Sequence, residues 1–176
     1  MSMRTALAMT TLLPLMTLGC GDGKAEQQKA PEQAAAAQTN FDPCALLTAD
    51  EIKSAAGWAP DSSQKKPYGS TGSCTYFGPN ALTQNVAILV GQGMPEMSDS
   101  RKLADWRRKQ YADYKVTNAT VEPIDDLGVP AIRNECGVEG VEMVVGKQLV
   151  TVSGLTLKAD QVKKLAGIVL ARMKQL

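Results

Sequence analysis

Apolar positions in this chain fall into separate stretches, each with its own spacing. From Ala6 to Leu18 every residue is apolar or Thr except Pro14, and Arg4 is the single charged residue before Cys20. That run is well short of the ~20 residues a permanent membrane helix needs, so residues 1–19 read as an export signal rather than a span. Gly21 to Asn40 contain no Val, Ile, Leu, Met or aromatic residue. Such a segment cannot bury enough surface to order itself and reads as a disordered tether, with a root-mean-square span of about 25 Å. Patterned sequence begins at Phe41 and runs to Leu176, a length that suits one domain with its own core.

Within residues 41–176, Thr48 followed three residues later by Glu51 forms a capping box, and Leu47 can staple onto Ile52. These signals predict a helix from Ala49 to Ala56 that stops at Gly57. Trp58 to Gly72 is rich in Pro, Ser, Gly and Lys and reads as an exposed loop. Ser73–Gly78 and Asn85–Gly91 read as strands; the second is apolar at consecutive positions, which predicts burial on both faces. A second helix is expected from Ser98 or Asp99 to Tyr114, with Leu103, Trp106, Gln110 and Tyr114 as its inner stripe. Arg101, Lys102, Arg107, Arg108 and Lys109 crowd its other faces, the reading being a solvated face with membrane headgroups as a lesser alternative.

Lys115 to Gly154 reads as a meander of strands at Val116–Val121, Ala131–Arg133, Val141–Val145 and Gln148–Val152, the last two joined by a hairpin at Gly146-Lys147. A closing helix, Ala159–Lys174, carries Val162, Leu165, Ala166, Val169, Leu170 and Met173 on one stripe. The expected fold is therefore α+β: a mostly antiparallel sheet packed by two or three helices, in the order α, β, β, α, several β, α.

Charge and composition narrow the function. The chain carries a formal net charge of +1, and losing Arg4 with the leader makes it neutral, which leaves no electrostatic case for nucleic acid. Histidine is absent, which removes Ser-His-Asp and Cys-His catalysis and the commonest zinc sites. No metal site and no cofactor is expected. The acids Asp125, Asp126, Glu135, Glu139 and Glu142 lie near one another in sequence, but adjacent strand residues point to opposite faces, so Asp125 and Asp126 do not converge as a catalytic pair. Met94 and Met97, without a His or a nearby Cys, read as packing residues.

Four cysteines occur. If Cys20 is consumed by modification, Cys44, Cys74 and Cys136 allow three single-bridge pairings. Cys44 with Cys74 is favoured: it closes a loop of about 30 residues, stabilising by roughly 3 to 4 kcal/mol in the chain-entropy account. Cys136 is then the candidate free thiol, and flanking Glu135 and Glu139 make it an inert one.

Thr17-Leu18-Gly19-Cys20 resembles the lipobox of bacterial lipoproteins, which implies cleavage before Cys20 and lipidation of its thiol. The small residues Thr17 and Gly19 also suit ordinary signal peptidase, and either route exports the chain. Asp42-Pro43-Cys44-Ala45-Leu46-Leu47-Thr48, the Cys74-Thr75-Tyr76 strand and the closing helix are similar to those of a bacterial cell-envelope lipoprotein family of unknown function. The resemblance implies a compact α+β domain with no established substrate. With Gly21 rather than Asp after Cys20, it also implies the periplasmic face of the outer membrane rather than the inner membrane. The expected function is non-catalytic binding of a partner protein or envelope component, and the alternative is a periplasmic carrier of a small apolar ligand.

Overall fold

The computed structural model describes residues 42–176 apart from 69, 70, 93 and 95. A short 3₁₀ turn, Pro43–Ala45, leads into helix α1, Ala49–Ala56. Strands β1, Ser62–Tyr68, β2, Thr71–Phe77, and β3, Asn85–Gln92, follow, then helix α2, Ser100–Asp113. Strands β4, Thr120–Ile124, β5, Ala131–Glu135, β6, Glu139–Val145, and β7, Gln148–Gly154, precede the closing helix α3, Ala159–Met173.

All seven strands form one antiparallel sheet in the order β1-β2-β3-β7-β6-β5-β4. Two meanders, one from each half of the chain, thus join edge to edge where β3 pairs with β7. The α+β class with a mostly antiparallel sheet agrees with the sequence reading. The element order differs by one strand, because β1 lies in the stretch read as a loop. Its Ser, Gln and Lys side chains are exposed and show no apolar alternation. Pairing along the whole of β2, from Ser62 opposite Phe77 to Tyr68 opposite Thr71, makes it a strand. An edge strand with Lys65, Lys66 and Pro67 is also poorly suited to recruit a further chain.

Pleating assigns each strand residue to a face. Val86, Ile88 and Val90 of β3, Val141 and Met143 of β6, and Val150 and Val152 of β7 point to one face, the inner one, where each is at most 2% exposed. Helix α3 lies on this face, burying Val162, Leu165, Ala166 and Val169 completely. Helix α1 packs against α3 through Ile52 and Ala55. Truncating a fully buried residue such as Leu165 to Ala removes contacts worth about 2–5 kcal/mol.

The opposite, outer face carries a smaller cluster of Leu103 and Ala104 from α2 with Val121, Ile132 and Val144 from β4, β5 and β6. Strand β3 is consequently buried on one face only: Leu89, which points outward, is 41% exposed. Its consecutive apolar run had predicted two covered faces, but α2 reaches only the β4–β6 end. The inner stripe of α2 also differs from the expected one. Ser100, Leu103 and Ala104 are buried, whereas Tyr114, just past the helix, is 77% exposed.

Local chemistry explains the element ends. Thr48 Oγ1 accepts from Glu51 N at 3.3 Å while Glu51 Oε2 accepts from Thr48 N at 2.8 Å, so the capping box is complete. Gly57 ends α1 in the left-handed region at φ +83°, a conformation that a Cβ disfavours. Asp99 caps α2 by accepting from Lys102 N at 2.9 Å. The β6–β7 hairpin turns at Gly146-Lys147 as expected, with Gly146 at φ +62°. Strand β4 starts at Thr120 rather than Val116, after Lys115 takes a left-handed turn at φ +57°. No helix among the described residues is long and apolar enough to cross a membrane.

Candidate functional site

Cys20 lies outside the described residues. Cys44 and Cys74 form a disulfide with their Cα atoms 5.1 Å apart, joining the 3₁₀ turn to the middle of β2. Cys74 is fully buried, opposite Ile88 on β3. Around the bridge, Asp42 accepts from Cys44 N at 2.9 Å, which lowers its pKa, and the Tyr76 hydroxyl donates to Cys44 O at 2.8 Å and to Leu47 O at 3.2 Å. Burial pushes the Tyr76 phenol up to about 12. The Asp-Pro-Cys opening and the Cys-x-Tyr strand are thus two halves of one structural clasp, which holds the start of the domain on the inner face.

Cys136 is not the free thiol expected. It is disulfide-bonded, and no described cysteine is free. Its acidic neighbours argued only about its protonation as a thiol. Cys136 is half-buried at the β5–β6 turn, beside Gly137 at φ +74°.

The acids named from sequence fall into separate ion pairs, with Glu135 and Glu139 meeting at Arg133. Asp126 accepts from Lys163 Nζ at 2.5 Å, a bond that lowers its pKa. Arg133 gathers Glu122, Glu135 and Glu139, with its shortest bond, 2.6 Å, to Glu139. Each of these carboxylates is engaged by a cation. Among the described residues no group of three or more His, Cys, Asp or Glu could hold a metal ion. Met94 and Met97 pack against the outer cluster.

Between β4, β5, β6 and the start of α3 lies a half-open cavity of about 160 Å³, bordered by Glu122, Ile124, Arg133, Val141, Asp160 and Lys163. Small-ligand sites are commonly about 300–1,000 Å³ and mainly apolar. This cavity is smaller; Pro123 and Ala159 complete its lining, so four of its eight lining residues are charged.

The arrangement that sequence reasoning missed sits on the outer face. Glu142, only 4% exposed in the middle of β6, receives Arg107 of α2 through Nε at 2.8 Å and through Nη2. Its other oxygen accepts from Asn134 Nδ2 at 2.6 Å; Asn134 Oδ1 in turn accepts from the Tyr111 hydroxyl at 2.7 Å. Arg107 also donates to Gln110 at 2.7 Å, and its guanidinium carbon lies 4.8 Å from the Trp106 ring centroid. Such a buried pair persists because every hydrogen-bonding group in it has a partner. The sequence did carry a signal: an acid inside Val141-Glu142-Met143-Val144 must either face water or find a cation. With Arg108 bonded to Asp105 and Lys109 to Asp113, three of the five basic residues on α2 are engaged within the domain.

Beside this network the outer face is open. Ser73 and Thr75 of β2, Ala87 and Leu89 of β3, and Thr151 and Ser153 of β7 form a floor of mostly short side chains, half-buried or exposed. No described helix lies over it. No known protein family, curated protein or solved structure matches this chain.

Proposed function

We propose that this protein is a lipid-anchored component of a bacterial cell envelope, attached at Cys20 to the periplasmic face of the outer membrane. Its domain works without catalysis, by binding a partner protein or envelope component. The open half of the outer sheet face, over which no described helix lies, carries the binding reading. The buried Cys44–Cys74 bridge is in keeping with an oxidising compartment, where such bonds persist. Anchoring by acyl chains contributes about 0.8 kcal/mol per buried methylene and becomes stable with two or more chains. The tether then lets the domain leave the membrane surface. The alternative of an apolar-ligand carrier is disfavoured by the fully packed stripe of α3 and by the small volume of the cavity beside its first turn.

The full chain, expressed with its leader in a Gram-negative host, tests both parts. Expected is a membrane-bound product whose N-terminal peptide begins at acylated Cys20, with the Cys20→Ser variant lost from the membrane. A thioether and a disulfide at Cys20 exclude each other, so in the acylated chain Cys136 must take its disulfide partner from elsewhere; an unacylated Cys20 would overturn the anchor. For binding, Leu89→Asp and Thr151→Arg should abolish cross-linking to envelope partners while leaving the fold intact. A native mass above the denatured mass would instead favour the carrier.

A further inference from the structure

Helices α2 and α3 are fixed to the sheet in different ways. Helix α3 buries residues along nearly its whole length, from Val162 to Met173. Helix α2 buries Ser100, Leu103 and Ala104, all within its first five residues, and none from Asp105 to Asp113. Its start is bolted down: Ser100 Oγ donates to Ile124 O at 2.6 Å and accepts from Ala131 N at 3.2 Å. The remainder is held by half-buried Trp106 and Tyr111, packed on the outer cluster, and by three polar attachments. These are Arg107 on Glu142, Arg108 on Val121 O at 2.7 Å, and Tyr111 on Asn134.

We propose that α2 is a hinged strap: residues 105–113 come off the sheet and unwind together beyond the Ser100–Ala104 anchor, with the Arg107–Glu142 pair as the latch. They unwind because so short a helix is not stable alone in water. Polar attachments exchange for water with little net loss, whereas buried apolar contacts do not. Release of the rear of α2 therefore costs the fold less than release of α3. Lifting it takes Trp106 and Tyr111 off the cluster that holds Val121, Ile132 and Val144, and opens that end of the face towards Leu149 and Leu89. Glu142 gives the opening a threshold, because an acid beside an apolar strip cannot be left bare at low cost. The inference does not depend on how the chain is anchored.

Hydrogen exchange of the full chain under native conditions tests it. Backbone amides of 106–113 should exchange at least ~10-fold faster than those of 162–173 in the unaltered protein, as expected of a local opening. Glu142→Gln should speed 106–113 by a further ~10-fold, the effect of weakening a charge-assisted bond, while leaving 162–173 unchanged. Equal protection of the two helices would overturn the strap. So would a Glu142→Gln variant in which both helices speed up together, since the pair would then hold the whole fold. If that variant does not fold, the comparison within the unaltered chain still decides.

Discussion

Tyr76 shows how one side chain can carry both a fold and a measurable response. Its ring is buried and its hydroxyl is bonded to two backbone carbonyls, and burial raises its pKa from the ordinary 10.0 to about 12. Between those two values an unfolded chain gives up the phenol proton while the folded chain keeps it. Stability is therefore fully present below pH 10 and declines as pH rises towards 12. Denaturant unfolding across that range should show the decline, and Tyr76→Phe should be less stable at neutral pH yet flatter above pH 10. An equally steep variant would assign the alkaline loss to other groups. Sequence pattern exposed some of these residue roles and hid others. Thr48 and Glu51 announce their cap because both partners lie within one turn. Glu142 and Arg107 meet across 35 positions of sequence, so only the misfit of an acid in an apolar strand hinted at the pair.

At the scale of elements, one guanidinium adds a charged tie to the packed join between α1 and α3. Arg172 donates to both oxygens of Glu51, at 2.7 and 2.8 Å, and to Leu46 O at 2.7 Å. Burial works against the Glu51 carboxylate, but the Thr48 N–H and Arg172 outweigh it and hold its pKa below the ordinary 4.5. A depressed carboxylate pKa contributes stability that is present above 4.5 and lost as pH falls through the lower, folded value. Arg172→Ala should cost about 1–3 kcal/mol at neutral pH, a loss typical of charged hydrogen bonds. Chemical denaturation at pH 7 and at pH 3 should show the gap between variant and parent narrowing in acid; a constant gap would mean that packing alone explains Arg172. Helices with local caps or unbroken stripes, α1 and α3, were legible before the structure. Strand β1 was not, since nothing in Ser62–Tyr68 prefers a strand until β2 lies alongside. The coverage of β3 was misread for a related reason: apolar runs show what a strand tolerates, whereas its second face depends on where a distant helix lands.

For the whole molecule, the Cys44–Cys74 bridge closes the chain segment that contains α1 and β1. The double substitution Cys44→Ser, Cys74→Ser should lower unfolding free energy by roughly 3 to 4 kcal/mol if the bridge acts by restricting the unfolded chain. Guanidinium titration measures this, and a loss under ~1 kcal/mol would show that the Tyr76 clasp holds the 3₁₀ turn unaided. The strand order has a further consequence for the way such a molecule is made. A chain that emerges amino end first completes β1, β2 and β3 early, yet the free side of β3 meets its partner only when β7 arrives. From Gln92 until Gln148 the Val86–Val90 run offers unpaired backbone along one edge. Pairing across such a long loop is slow, and an open apolar edge invites pairing with another molecule. During biosynthesis, then, the hazard lies at the centre of the future sheet, and swift delivery of the second meander protects the first from its neighbours.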